Sequence, residues 1–218
     1  MPITHGSRSI RPAPSAAIAA LAVIIAVGCG STTDSADLPA GPAPDSFRVV
    51  FETSRGAFVV ESVRAWAPHG ADRFHALTRA AFFDQARFFR VIPGFIAQFG
   101  LHDQPKINER WDAKPIPDDP VRHSNLRGTV TFATEGPNSR SHQLFVNLAD
   151  NLRLDKQGFT PIGRVIAGMD VVDSLFGGYE EAPSQRMIQR LGNSYLSRMF
   201  PKLDYVKSAR VPAGVSIR

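Results

Sequence analysis

The 218-residue sequence has a single cysteine, Cys29, so no internal disulfide can form. It lacks a His-Glu-x-x-His pair and paired cysteines, which removes the common ligand patterns for a bound metal. It also lacks a glycine-rich phosphate loop and a serine in a recognisable nucleophile elbow, which argues against phosphoryl transfer and serine hydrolysis. No internal repeat is visible. The longest apolar run, Ala16 to Val27, is too short to span a bilayer comfortably. Basic residues nowhere form a run interleaved with aromatics. The formal net charge is +5, and Arg8 and Arg11 near the N-terminus supply two of those charges. So mild and dispersed an excess argues against a nucleic-acid partner. What remains, 43% hydrophobic and 21% charged residues, suits a globular chain with a substantial core.

Residues 88 to 100 are the most informative stretch, Phe-Phe-Arg-Val-Ile-Pro-Gly-Phe-Ile-Ala-Gln-Phe-Gly. One charge, Arg90, and one long amide, Gln98, interrupt an otherwise apolar run. Alternation at period 2 suits a half-buried strand, and Pro93-Gly94 suits a tight turn between two strands. In such a hairpin Arg90, Phe95 and Gln98 can converge on one surface. A fixed cation, an aromatic wall and an amide together suit a bound peptide segment. A plain hairpin with a snorkelling arginine is the competing reading of this stretch alone.

Two further segments bear on that choice. Residues 128 to 147 place two β-prone runs around a loop holding Gly136, Pro137 and Asn138, followed by Ser141-His142-Gln143 and Phe145. Residues 154 to 165 read Leu-Asp-Lys-Gln-Gly-Phe-Thr-Pro-Ile-Gly-Arg-Val. With the Phe-x-Arg-Val-Ile-Pro-Gly-Phe run, these motifs resemble the cyclophilins, the peptidyl-prolyl cis–trans isomerases, over residues 47 to 176 in order and spacing.

The resemblance implies a mainly β fold: a closed antiparallel barrel of eight strands capped by two helices. It implies rotation about X-Pro bonds of polypeptide substrates, with no cofactor and no metal. Arg90 matches the family's catalytic arginine and Gln98 the glutamine that orients it. Phe95, Ile96, Phe145 and Leu154 match positions lining the proline pocket. Gln143 and the backbone at Thr134 match positions that grip the peptide chain. Phe159 falls where many members carry a pocket histidine, and Phe89 where many carry a histidine beside the arginine strand. Thr134 stands for a common asparagine, so only its main chain carries over. Arg153 aligns with a frequent tryptophan, a rim contact on which cyclosporin leans. Leu144 and Ile162 replace two phenylalanines. A non-catalytic, membrane-tethered binder of proline segments is the alternative function, and Arg90 argues against it, since pure binding needs no cation there.

Residues 1–28 resemble a bacterial lipoprotein signal. Arg8 and Arg11 are a positive start, an apolar run follows, and Ala26-Val27-Gly28 precedes Cys29, the expected lipidation site. Residues 29–46 read as a disordered tether, rich in Ser, Thr, Ala, Pro and Gly. The expected location is the cell envelope, on the periplasmic face of the outer membrane if the host has two, and the expected state is a monomer. The catalytic domain is expected over 47–176. Within it, residues 47–51 and 57–63 form a hairpin, 68–83 a helix, 101–125 a polar surface connection and 168–176 a second helix. Residues 177–218 form an extension. In it Met187, Ile188, Leu191, Tyr195 and Met199 mark one helix over 184–200, and 203–211 a closing strand.

Overall fold

Alternating apolar residues at the start of the domain make the first hairpin. Phe47, Val49 and Phe51 point to one face of β1 (Ser46–Thr53), and Phe58 and Val60 to the same face of β2 (Ala57–Val63). The computed structural model describes residues 1–2 and 41–212. The leader, Cys29 and most of the tether lie outside the described residues. The tether expected to reach Ser46 ends earlier: Ala43 is buried and its N–H donates to Asp72 Oδ1 at 2.8 Å.

Six more strands follow: β3 (Arg90–Ile92), β4 (Ile96–Phe99), β5 (Thr129–Phe132), β6 (Leu144–Asn147), β7 (Pro161–Ala167) and β8 (Val206–Arg210). All ladders are antiparallel, and the eight strands run in the order β3-β4-β6-β5-β7-β2-β1-β8. This is the expected eight-stranded fold as a curled sheet. Its end strands β3 and β8 share no ladder. An isolated bridge, Arg87 to Tyr205, and the bond from Gln85 N to Val206 O join the segments beside them. Within the curl lies a phenylalanine core in which Phe51 stacks on Phe58 at 4.8 Å and meets Phe99 edge-on at 5.7 Å.

Helix α1 (Pro68–Arg79) covers one opening of the sheet with Phe74 and Leu77 fully buried. It is shorter than the expected 68–83. Ala81 enters the left-handed region (φ 53°), while Phe82 N bonds Leu77 O and Ala81 N bonds Thr78 O, a Schellman termination. Its start has no local side-chain cap. Asp119 reaches across instead, accepting from His69 N at 3.0 Å and Gly70 N at 2.9 Å.

The connection over 101–125 is not all loop. It contains α2 (Pro105–Asp112), which starts on a proline and buries Trp111 and Asn108. The Trp111 ring lies edge-on to Phe82 at 5.7 Å, a tertiary contact that overrides the polar local sequence. Helix α3 (Met169–Asp173) occupies part of the expected 168–176.

The single tail helix expected over 184–200 is two, α4 (Gln185–Leu191) and α5 (Asn193–Met199). Gly192 breaks them, with φ 60° and ψ −150°; a Cβ there would stand 1.7 Å from Asp103 O. The buried stripe is correspondingly different. Ile188 and Leu196 pack with Phe89, Leu101 and Leu203, whereas Leu191 and Met199 are exposed. Phe89, in place of a histidine, thus serves the core that seats the tail.

Candidate functional site

The site is built on the β3–β4 hairpin. Pro93-Gly94 turns the chain, with Gly94 at φ 73° and Phe95 N bonded to Ile92 O at 2.9 Å. The register pairs Arg90 with Gln98 across the two strands. Their side chains meet, Arg90 Nη1 donating to Gln98 Oε1 at 3.3 Å. Gln98 Nε2 then donates to Gln143 Oε1 at 3.0 Å, so one relay of amides runs from the guanidinium to the loop before β6. The Arg90 guanidinium also lies 5.6 Å from the Phe95 ring centroid.

Beside this relay is an apolar hollow. Ile96, Phe145 and Leu154 are buried together, with Phe95, Ala133 and Phe159 half-buried around them. Phe145 sits opposite Gln98 in the β4–β6 register, and Phe159 meets it edge-on at 5.8 Å. Leu154 comes from a 3₁₀ turn, Leu152–Gln157, secured where Asp155 Oδ1 accepts from Asn125 N and Nδ2, both at 2.8 Å.

Arg90, Phe95, Ile96, Gln98, Thr134, Gln143, Phe145, Leu154 and Phe159 all line one cavity of about 520 Å³. The nine residues singled out in the folded part of the sequence therefore share one site. Thr134 turns its hydroxyl into the loop, contacting Gly136 O at 2.5 Å and Ser139 Oγ at 2.8 Å, which leaves its main chain for a ligand. Arg153 stands 4.7 Å from the Phe95 centroid and covers the ring as a cation rather than as an aromatic rim. Leu144 and Ile162 are fully buried core residues outside the cavity lining.

Other lining residues arrive from segments that carry no local signal. Asp112 ends α2 and Pro115 follows it, and Gln185 and Gln189 come from α4. Two glutamines at i, i+4 on one helix face were the one available hint. Asp112 Oδ1 accepts from Ser141 Oγ at 2.9 Å and lies 2.9 Å from buried His142 Nε2 in a poorly aligned contact. Burial alone would raise the Asp112 carboxyl; His142 and Ser141 outweigh it and hold the group below the usual carboxylate range. Glu181, also from the tail, accepts from Arg90 Nε at 2.8 Å and from Nη2 as well.

Arg73 supports the site from behind. It donates to Ser141 O at 3.0 Å and Lys114 O at 2.6 Å, and lies 5.0 Å from the Trp111 ring centroid. Burial pushes its pKa down to about 10, so it stays charged at neutral pH.

Residues 48–191 match the family described as cyclophilin type peptidyl-prolyl cis-trans isomerase/CLD. A peptidyl-prolyl cis-trans isomerase of Acinetobacter baylyi is 33% identical over 150 residues, 63% of this chain and 79% of that protein. A probable peptidyl-prolyl cis-trans isomerase of Brucella abortus is 32% identical over 177 residues, 76% of this chain and 86% of that one. In fold, a cyclophilin crystal structure from Cryptosporidium parvum superposes with TM-score 0.55 at 19% identity, covering 78% of this chain and 99% of its own. A cyclophilin from Hirschia baltica gives TM-score 0.58 at 18% identity, covering 78% and 76%. With the family match spanning most of the chain, this protein belongs to the cyclophilin-type peptidyl-prolyl cis-trans isomerases.

Proposed function

We propose that this isomerase acts on X-Pro bonds of exported proteins from a lipid anchor in the cell envelope, with Arg90 as its catalytic group. The observation that carries the reading is the Arg90–Gln98–Gln143 relay beside an apolar hollow. Rotation about a prolyl bond is opposed by a barrier of about 18–20 kcal/mol, set by delocalisation of the nitrogen lone pair into the amide. In the twisted state the lone pair returns to nitrogen and can accept a hydrogen bond. A guanidinium aimed there stabilises the twisted state more than the planar one, which lowers the barrier without a covalent step.

Arginine suits this role because it stays charged and presents a rigid fork of donors. Gln98 aims the fork. Phe95, Ile96, Phe145, Leu154 and Phe159 hold the proline ring, while Gln143 and the Thr134 main chain hold the flanking backbone. The C. parvum cyclophilin was crystallised in the presence of the dipeptide Ala-Pro, a ligand of the size this hollow suits. The anchor is supported by Arg8, Arg11, the apolar run and Gly28-Cys29. Gly30 follows the cysteine, where an aspartate would favour retention at an inner membrane.

The test is cis–trans exchange of an X-Pro peptide measured by exchange NMR beside an Arg90→Ala variant. The protein should accelerate exchange, and the variant should lose most of that acceleration while melting at nearly the same temperature. Exchange at the buffer rate with folded protein would favour the proline-segment binder instead.

A further inference from the structure

The Arg90–Glu181 pair is set by the backbone. Val91 and Glu180 form an isolated antiparallel bridge, and in that register Glu181 stands opposite Arg90. Glu180 has a left-handed φ of 47° at this bridge. The tail thus runs along the outer edge of β3 and brings a carboxylate to the site. Arg90 Nε and Nη2 both donate to Glu181 Oε1, and Nη1 donates to Gln98. That engages three of the five guanidinium N–H groups within the protein.

A carboxylate in this place weakens the positive field that Arg90 directs at the prolyl nitrogen. The pair is also easily exchanged, because the Glu181 side chain is 63% exposed and exposed ion pairs are weak. A cationic side chain on the bound polypeptide can take Glu181 from Arg90, pairing the carboxylate anew and leaving the guanidinium to the prolyl nitrogen. The groove favours such a cation. Apart from Arg90, its charged lining groups are Asp112 and Glu135, and α4 adds the polar side chains of Gln185 and Gln189. Arg153 is the opposing charge, held over the Phe95 ring.

We propose that Glu181 is a specificity-determining residue of the isomerase site, selecting proline segments that carry lysine or arginine close to the X-Pro bond. This rests on the isomerase reading above. The test compares peptides that differ only in lysine or alanine near the proline, with the substitution placed before it in one pair and after it in the other. Exchange NMR gives kcat/KM for the wild-type protein, Glu181→Gln and Glu181→Lys. The wild type should favour the lysine peptide of at least one pair by about threefold to fivefold, the range an exposed ion pair supports. That preference should shrink in high salt, fall to near one in Glu181→Gln and reverse in favour of the alanine peptide in Glu181→Lys. Turnover with no preference, or a preference that survives Glu181→Gln, overturns the inference alone. No turnover of any peptide overturns the isomerase reading with it.

Discussion

Phe145 shows how one side chain serves both stability and the site. It is buried between Ile96 and Leu154, and it also lines the cavity. Truncating a large buried aromatic leaves a void that its neighbours fill only partly, at a cost of ~3–5 kcal/mol. Phe145→Ala should therefore lower the denaturation midpoint and impair turnover together. A denaturant titration with unchanged midpoint would contradict the burial described here. Arg90 is the opposite case. Its side chain is 25% exposed and belongs to no apolar cluster, so its loss should be read in rate and hardly in stability. At this scale much was legible. The β3–β4 hairpin is local, and period-2 alternation with a tight turn at Pro93-Gly94 lets Arg90 and Gln98 share one face. Glu181 was not legible, because its pairing with Arg90 depends on a bridge between segments about ninety residues apart.

Elements are held in place by polar ties that propensity does not reveal. The tail packs on the domain only with its chain bent at Gly192, where a side chain meets Asp103 O. Gly192→Ala should cost ~1–3 kcal/mol and also reduce turnover, since α4 supplies Gln185 and Gln189 to the cavity. Thermal melting and an exchange assay on the same variant check both effects. Two carboxylates secure other joints. Burial pushes the Asp72 carboxyl up, but hydrogen bonds from Arg64 and from Ala43 N outweigh that and hold it below its ordinary 3.8. Asp155 is likewise raised by burial and lowered further by the two bonds from Asn125. Groups depressed by folding stabilise fully above their unfolded pKa and lose that contribution as pH falls through the folded value. Melting temperature should therefore hold down to about pH 4 and drop below it, and Asp72→Asn should flatten part of that drop. The expected single helix over 184–200 failed for a related reason: the apolar stripe was real, but one glycine and a distant carbonyl decided where the chain bends.

At the scale of the whole molecule, the tail is part of the sheet as well as of the site. β8 pairs with β1 and buries Val206 and Ala209, so removing residues 177–218 would expose a core edge rather than trim an appendage. Location belongs to this scale too. On the proposed lipid anchor, Cys29→Ser should release the protein into soluble fractions or leave an unprocessed precursor, as fractionation and intact mass would show. A variant that stays processed and membrane-bound would exclude the lipid anchor.

The sequence by itself determined the first hairpin and the turn at Pro93-Gly94, through alternation and turn chemistry that operate within a few residues. Its motifs determined the family, and the roles of the nine residues that share the cavity are what that resemblance implies. Only the tertiary structure decided that Asp119 caps α1, that Trp111 makes a helix of a proline-rich connection, and that the tail brings Glu181, Gln185 and Gln189 to Arg90's groove. Each of these joins groups far apart in the chain. Their energy comes from burial and from hydrogen bonds completed across that distance, and no local pattern encodes it.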